Sequence, residues 1–356
     1  MKRKLLIAVP LLALVALTAW FFRPKRDLLG EAYISEKSAT LWSSMAQVRE
    51  PLDTLHYGER VDTLAKRNDF VKVRTAKGTV GWIDGRLLMD PELWQRSADL
   101  LKRAESLPVQ GSGRTKVATN LRVEPGRNAP RLYQFGRGIP VEILGRATAD
   151  VTPSADEKEA NEPQGTKKED WFLVRGVASR PPSETTGRST EPSNTTRPGD
   201  QSVPIAGWVI ARFLELAVPD VVREGASSAN LRPIAWFELN HVEDPSGNKA
   251  QYLLAATRGS EGQSCDFSVL RVYTWNRKKT RYETAFIENN LCGKLPVQMG
   301  KTSSGQPEFR FYDADDPQHE RVYLLIQTVV RRIRNGQILS PRNRSASARK
   351  SNAKPR

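Results

Sequence analysis

Two similar stretches of sequence decide the fold: "GTVGWIDGRLLM" at residues 78–89 and "IAGWVIARFLEL" at residues 205–216. Each contains a Gly-Trp pair followed by a β-branched residue and ends in large apolar side chains. A glycine lets a neighbouring backbone come close, and a tryptophan beside it buries about 150–250 Å² of mostly apolar surface. We interpret these residues as structural positions in two copies of one small β-domain: Gly81, Trp82, Gly207 and Trp208.

Strand-like patterns precede each stretch. In the first copy, residues 32–90, "ERVDTLAK" from Glu59 and "DFVKVRT" from Asp69 alternate apolar and polar residues. In the second copy, residues 117–217, similar runs begin at Ile139 and Asp170. Because alternation with period two is typical of half-buried strands, the sequence predicts a mainly β protein with two small domains.

Several segments between these copies carry other signals. Asp90 followed by Pro91, with apolar residues at helical spacing, predicts a short helical connector over residues 91–108. The stretch "VQGSGRTK" after it is typical of a flexible joint. Residues 147–169 and 178–202 are poor in apolar side chains and rich in charged, Thr, Ser and Pro residues. We expect these two insertions to be disordered loops within the second copy.

The order of these motifs resembles the bacterial SH3-like domain family. The second copy has the opening Leu-Arg, a Pro/Gly turn, a Gly-led strand, an aromatic-led strand and the Gly-Trp strand: Leu121-Arg122, Pro125-Gly126, Gly138, Trp171 and Gly207-Trp208. The first copy has matching motifs at Gly58, Phe70 and Gly81-Trp82, but Leu41-Trp42 stands where the family has Leu-Arg. The resemblance covers about half of the chain and implies two small β-barrels.

The same resemblance implies a binding function. Domains of this family often occur in envelope proteins and often bind cell-wall peptides or glycans. Only the second copy keeps the Leu-Arg opening, so we expect its ligand-binding residues to be Asn120, Arg122, Tyr133 and Trp171. The expected partner is peptidoglycan or another envelope protein.

Residues 224–334 contain six further strand-like runs joined by turn signals and resemble no family. We expect an antiparallel β-meander. Its final run is consistent with a C-terminal helix, because Leu325, Val329 and Ile333 recur at helical spacing. An alternative function follows from this unit: it is an enzyme or inhibitor domain that the barrels only position. A cluster of titratable residues in one cleft of the unit would favour that alternative.

The net charge of +15 is concentrated at the two ends of the chain. Residues 1–26 and 335–356 each carry six basic residues and no acidic one, so the interior is nearly balanced. This distribution argues against a nucleic-acid-binding groove and indicates a disordered basic tail. Leu5–Phe22 has no charged residue and as a helix would span about 27 Å, close to the thickness of a bilayer core.

We favour an uncleaved membrane anchor at residues 1–26 over a cleaved signal peptide, because the apolar run ends in Trp20, Phe21 and Phe22 rather than in small residues. The body of the chain is then expected in the periplasm or otherwise outside the cytoplasm. Its two cysteines, Cys265 and Cys292, form a disulfide bond in that setting or remain two buried thiols.

Known catalytic and cofactor patterns are weak in this sequence. Three histidines and two cysteines offer no zinc-site spacing, so we expect no metal and no cofactor. "GKLPVQMGKT" at residues 293–302 has six residues between its glycines, where a phosphate-binding loop needs four. The sequence thus favours a binding protein over an enzyme.

Overall fold

The computed structural model describes residues 29–151, 167–178, 203–334 and 337–338. These residues form antiparallel β-sheets with two α-helices. They divide into two compact units, with the boundary after Pro91. The predicted anchor at Leu5–Phe22 lies outside the described residues. Within the described ranges, no helix combines the length and the apolar character that crossing a bilayer requires.

The first unit is a seven-stranded sheet in the order β3-β2-β6-β5-β4-β1-β7. Apolar side chains alternate along its strands, and Ile34, Leu41, Val73 and Ile83 are fully buried in its core. The strands are β1 (Gly30–Ile34), β2 (Ser38–Trp42), β3 (Pro51–His56), β4 (Arg60–Arg67), β5 (Phe70–Thr75), β6 (Val80–Asp84) and β7 (Leu88–Met89).

The second unit begins with helix α1 (Pro91–Glu105) and a second seven-stranded sheet. Its strand order is β10-β9-β13-β12-β11-β8-β14, the same permutation as in the first sheet. The strands are β8 (Gly111–Thr115), β9 (Thr119–Arg122), β10 (Arg131–Phe135), β11 (Pro140–Asp150), β12 (Lys168–Ala178), β13 (Val203–Ile210) and β14 (Leu214–Leu216).

The two sheets also share their irregularities. The register shifts between Thr63 and Ala65 on β4, and at the equivalent place between Ile143 and Gly145 on β11. A second pair of shifts lies where β3 meets β2 and where β10 meets β9. Because a bulge inserts one residue at a defined position, two coincident bulges indicate one structural unit repeated. The repeated Gly-Trp pairs occupy matching positions in β6 and β13.

The expectation of barrels is met only in part. In each sheet the described strands form an open hydrogen-bonded order with two ends, β3 and β7 or β10 and β14, and no described strand closes the ring. The short β7 and β14 each pair with the first strand of their sheet through two or three residues. The architecture is therefore two open, seven-stranded antiparallel sheets of identical topology.

The predicted flexible joint is wrong, because residues 111–115 form strand β8 and extend the second copy upstream of residue 117. The glycines there serve close packing. A Cβ on Gly111 would lie 2.7 Å from the Trp236 ring, and one on Gly113 would lie 2.7 Å from the carbonyl oxygen of Glu215. A sequence pattern cannot distinguish a glycine required by a neighbouring group from one that provides flexibility.

The insertions are shorter than predicted. β11 continues to Asp150 and pairs with β12 as far as Lys168, and Ala178 pairs with Val203. Residues 147–150, 168–169 and 178 are thus strand, and the rest of the two insertions, apart from Val151 and Lys167, lies outside the described residues. Glu169, which was assigned to the loop, is 1% exposed and pairs with Arg127. Asp170, the first residue of the predicted strand, is also 1% exposed and pairs with Arg146.

The remainder of the second unit is a β-sandwich preceded by a helix that the sequence did not predict, α2 (Asp220–Ser228). One sheet has the order β15-β16-β17-β18 and the other β19-β20-β21-β22-β23. The strands are β15 (Leu231–Val242), β16 (Lys249–Arg258), β17 (Val269–Asn276), β18 (Arg281–Glu288), β19 (Gly293–Lys301), β20 (Pro307–Asp313), β21 (Asp316–Ile326), β22 (Val329–Arg334) and β23 (Gln337–Ile338).

Three findings correct or extend the expected meander. The final run is a hairpin rather than a helix, because β21 and β22 pair from Ile326–Val329 to Val322–Ile333. Its β-branched residues suit strands, and the sandwich core accepts Tyr323 and Leu325. The stretch at residues 293–302, whose glycine spacing excluded a phosphate-binding loop, contains strand β19. The expected tail contributes β23 at residues 337–338, and its other residues lie outside the described part.

The second sheet and the sandwich are joined by buried polar contacts. The Gln110 side chain is fully buried and exchanges two hydrogen bonds with the Val297 backbone, at 2.8 and 3.1 Å. The Arg146 side chain has no exposed surface and pairs with Asp170 and Asp266. Arg146 also donates to the carbonyl oxygen of Cys265, at 2.9 Å. These contacts explain why the two regions form one compact unit.

The predicted disulfide bond is confirmed. Cys265 and Cys292 are bonded, with 4.7 Å between their Cα atoms. The bond ties the segment before β17 to the segment before β19, next to Asp266, which pairs with Arg146. It therefore holds together the loop that carries one side of the junction with the second sheet.

Candidate functional site

Two hollows adjoin at one end of the second sheet. The smaller, about 260 Å³, lies against β9, β12 and the short 3-10 turn Ala211–Phe213. The larger, about 730 Å³, is lined by Lys167, Lys168 and the 260–263 loop. Both hollows are lined by Arg127 and Arg212. We call the combined surface the arginine groove.

A buried carboxylate holds these two arginines. Arg127 donates from Nε and Nη2 to the two oxygens of Glu169, at 3.0 and 2.9 Å. Arg212 Nη2 lies 3.0 Å from Glu169 Oε2. The Glu169 side chain is 2% exposed, whereas those of Arg127 and Arg212 are 40% and 39% exposed. The carboxylate is thus beneath the surface and the guanidinium groups reach it.

The ionisation of Glu169 follows from the same contacts. Burial alone would raise its pKa, but the hydrogen bonds from Arg127 and Arg212 outweigh burial and hold the pKa below its usual range. Glu169 is therefore ionised at neutral pH. An arginine whose orientation is fixed by a carboxylate loses little side-chain entropy when it binds a second anion, so both guanidinium groups are prepared to bind one.

Arg122 and Asn120, two of the four predicted ligand residues, line the smaller hollow from β9. Arg122 donates from Nη1 to the carbonyl oxygen of Ala129, across the turn between β9 and β10. Burial and the neighbouring Arg131 lower the pKa of Arg122. Asn120 Oδ1 accepts a long hydrogen bond, 3.4 Å, from Gln134. These side chains add a third cation and an amide to the groove.

The other two predicted residues are not the exposed aromatic faces that we expected. Tyr133 is 4% exposed, packs edge-on against Phe135 at 5.6 Å between ring centroids, and is not among the residues that line either hollow. Trp171 is 1% exposed, although it lines the smaller hollow. Its buried indole N–H has no hydrogen-bond partner among the described residues. Such a donor is costly to leave unpaired.

The equivalent position of the first sheet is filled by its own side chains. In the first sheet Trp42 pairs with Trp82, and in the second sheet Arg122 pairs with Trp208 at the equivalent position. Phe70 of the first sheet occupies the position of Trp171 in the second. The Arg49 guanidinium lies over both the Trp42 and Phe70 rings, 4.4 and 5.5 Å from their centroids. Arg49 thus covers the aromatic surface at this position.

A larger cavity of about 880 Å³ lies against β8, β11, β12 and β14. Two ion pairs line it, Arg114–Glu215 at 3.0 Å and Arg175–Glu142 at 2.7 Å. Apart from Arg223, which pairs with Asp220, its charged groups are paired with one another, whereas the basic residues that line the arginine groove outnumber the acidic ones. The arginine groove is therefore the better candidate for a ligand site.

The sandwich contains a cluster of titratable residues that is only partly buried. Arg321 lies 3.2 Å from Glu288 and 2.7 Å from Asp313, and the Tyr323 hydroxyl donates to Glu288 at 2.7 Å. Tyr323 and Asp313 are fully buried, whereas the side chains of Arg321 and Glu288 are 19% and 23% exposed. Burial, with the nearby Glu288, raises the pKa of Tyr323. Mutual pairing of this kind is typical of a polar network at the edge of a core.

Sequence reasoning missed Arg127, Glu169 and Arg212. Arg212 stands in the quoted stretch at the position of Arg86 of the first copy, and Arg127 follows the Pro/Gly turn. Glu169 was assigned to a disordered insertion. Their separation by 42 or more residues leaves no local pattern, so only the position of Arg212 in the repeat offered a signal.

No family model matches the chain, and no curated protein sequence is similar to it. Among solved structures, it is similar to an NlpC/P60 family protein from Bacillus cereus ATCC 10987, with 11% identity, a TM-score of 0.21, and coverage of 73% of this chain and 94% of that one. It is also similar to NlpC2 and NlpC1 from Trichomonas vaginalis, each with 9% identity, a TM-score of 0.17 and 73% of this chain covered, and with 97% and 92% of those chains covered. Similarities at these TM-scores carry no argument about fold or function.

Proposed function

We propose that the chain is a membrane-anchored cell-envelope protein whose two sheets are tandem SH3-like domains, and that the second domain binds an anionic cell-wall peptide. The observation that carries the binding proposal is the arginine groove. Arg127 and Arg212 are held by the buried Glu169, next to the unpaired indole N–H of Trp171. Guanidinium groups recognise carboxylates through paired hydrogen bonds.

Four features support the domain assignment and the location. The two sheets share strand order and bulge positions, as expected for tandem copies. In both, the Gly-Trp glycine lies against the first residue of the Leu-Arg or Leu-Trp pair, Leu121 or Leu41. The disulfide bond suits an oxidising compartment outside the cytoplasm. The apolar segment Leu5–Phe22 supplies the proposed anchor.

We favour binding over catalysis for this chain. An enzymatic function of the sandwich would need titratable side chains that reach a substrate. In the Glu288–Arg321–Tyr323 cluster of the sandwich, Tyr323 has no exposed surface, and the Arg321 and Glu288 side chains are 19% and 23% exposed. The burial of Tyr323 favours a role in packing for this cluster.

The test is binding of the full-length chain to purified peptidoglycan and its soluble peptide fragments. Arg212→Ala is expected to weaken binding by about 2 kcal/mol, roughly thirtyfold, because it removes one of the two prepared guanidinium groups. Amidating the carboxyl groups of the fragments should abolish binding by the native chain.

Arg86→Ala is the matched control, since Arg86 occupies the equivalent position of the first sheet and pairs with Asp84 there. It should leave the affinity unchanged. Equal affinity of the native chain and folded Arg212→Ala, or equal affinity for amidated fragments, would contradict the proposal.

A further inference from the structure

One end of the outer face of the sheet β15–β18 is covered and the other is open. Helix α2 packs against β15 and β16. A Cβ on Gly225 of this helix would lie 2.7 Å from Cζ of Tyr273, which is 3% exposed, so the helix lies directly on that ring. Tyr252 is opposite Tyr273 on the same face and stays partly exposed.

Three aromatic rings occupy the open end. Trp275 is two residues beyond Tyr273 and therefore points to the same face, and Tyr282 is directly opposite Trp275 on β18. The Trp275 and Tyr282 rings are in edge contact, with 5.1 Å between centroids. All three rings are partly exposed. We call Tyr252, Trp275 and Tyr282 the aromatic platform.

The platform is held in place by polar contacts at its margin. The Trp275 indole donates to Asp244 Oδ2 at 2.7 Å, and Lys249 Nζ lies 5.2 Å from the Trp275 ring centroid. Ser246 and Trp275 donate to Asp244, and these hydrogen bonds hold the pKa of Asp244 at about 2. The Trp275 ring is thus fixed before any ligand arrives.

Hydrogen-bonding groups surround the rings. Glu238 lies opposite Tyr252, and Glu238 Oε1 is 3.2 Å from His241 Nε2, with both side chains about half exposed. Burial and nearby Glu238 raise the pKa of Tyr252, and burial, Tyr252 and Glu238 raise that of Tyr282. Both hydroxyls are therefore protonated donors over the physiological range.

The platform lacks the excess positive charge of the chain as a whole. Glu238 and Asp244 lie beside Lys249 and the imidazole of His241, whereas the full chain carries a formal charge of +15. A site for an anionic polymer would share the excess positive charge of the arginine groove. The absence of that excess at the platform suits an uncharged ligand.

The size of the platform also restricts its occupant. The rings lie on β16, β17 and β18, which places them across about 10 Å, since neighbouring strands are about 4.8 Å apart. The area of the platform is thus on the order of 100 Å². A stable protein interface buries about 800 Å² on each partner, which is well above that area. An apolar ring face with donors and acceptors at its edge matches a sugar ring, which has C–H groups on its faces and hydroxyl groups around its rim.

We propose that the aromatic platform binds an uncharged saccharide of about two sugar rings, with Tyr252, Trp275 and Tyr282 stacking against it and Glu238 and His241 contacting its hydroxyl groups. This site is separate from the arginine groove and does not depend on it.

The test uses the full-length chain with two neutral probes, cellotetraose and the β-1,4-linked tetramer of N-acetylglucosamine, measured by calorimetry. Tyr282→Ala and Tyr252→Ala are each expected to weaken binding about tenfold, the scale of one stacked aromatic contact. Tyr282→Phe keeps the ring and should retain affinity within about threefold. Tyr312→Ala is the matched control, because Tyr312 is a 47% exposed tyrosine on the other sheet of the sandwich.

Melting temperatures show whether each variant is folded. The proposal is overturned if neither probe binds at concentrations up to about 10 mM, since weaker binding has no specificity to explain. It is equally overturned if Tyr282→Ala, folded, binds as the native chain does, or if a protein binds the platform and no saccharide does. Arg212→Ala should leave saccharide affinity unchanged, so failure of this site and failure of the peptide proposal are separable.

Discussion

Replacing Gly207 by alanine is expected to destabilise the second unit by about 1–3 kcal/mol, the usual cost of forcing an extra methyl group into a packed interior. The new Cβ would lie 2.5 Å from Leu121 Cγ and 2.9 Å from the carbonyl oxygen of Arg122. Leu121 is fully buried, so its side chain has little room to move. The contact with the Arg122 carbonyl oxygen involves the backbone, so a smaller side chain at Leu121 would not relieve it. Strand β9 must therefore move away from β13.

Urea unfolding of the full-length chain measures this effect. With a denaturant slope of about 2–3 kcal/mol/M, the transition midpoint of the second unit should fall by roughly 0.3–1.5 M. Gly81→Ala should do the same to the first unit, because its Cβ would lie 2.7 Å from both Leu41 Cγ and the carbonyl oxygen of Trp42. Movement of β9 also displaces Arg122, so peptide affinity should fall together with stability.

Gly136→Ala is the control, since a Cβ at Gly136 meets nothing within 4 Å. It should change stability by less than about 0.5 kcal/mol. The close-approach reasoning is refuted if folded Gly207→Ala unfolds at the same urea concentration as Gly136→Ala.

Three further perturbations test the polar contacts of the second unit. Arg146→Ala is expected to cost about 3–5 kcal/mol in urea unfolding, because it leaves the buried Asp170 with one cation fewer. The pKa of Glu169 in the folded chain lies below its unfolded value of about 4.3. The contribution of Glu169 to stability is therefore complete above that value and is lost as pH falls through the folded pKa. In Glu169→Gln, the melting temperature should fall less steeply with decreasing pH than in the native chain. Reducing the Cys265–Cys292 bond should lower stability by about 3–4 kcal/mol, from the entropy of a loop of 27 residues.

Each of these has a matched comparison. Glu215→Gln changes an exposed pair with Arg114 and should leave the acid-induced loss unaltered. Arg310→Ala removes a half-exposed arginine and should cost much less than Arg146→Ala. Two alkylatable thiols in the unreduced native protein would show that the disulfide is absent in solution, and an unchanged acid profile in Glu169→Gln would show that Glu169 does not contribute through its charge.

The sequence determined the repeat and much of the strand content. Alternation predicted the strands that contain Val61 and Val73, and the structure buries both side chains. The repeated Gly-Trp pair located two equivalent strands 126 residues apart. Both copies need a glycine at this position, because β6 lies close to β2 in the first sheet and β13 lies close to β9 in the second. A single pair of cysteines left only one intrachain disulfide to form. These are local signals, which the residues carry wherever the chain folds.

Tertiary structure decided the features that depend on distant neighbours. Tyr133 is a core residue and not the exposed aromatic face that we expected, because Phe135 and the rest of the second sheet enclose it. The run after Glu320 forms a hairpin because its paired strands bury Tyr323, Leu325 and Val330 in the sandwich core, although its apolar residues also recur at helical spacing.

The candidate site was decided in the same way. Glu169 is buried because Arg127 and Arg212, each 42 or 43 positions away, meet it from a turn and a 3-10 segment. Composition around Glu169 indicated a solvated loop, since an unpaired carboxylate cannot be buried. Only the folded chain supplies the two cations that make its burial favourable, and so only the fold could place the arginine groove.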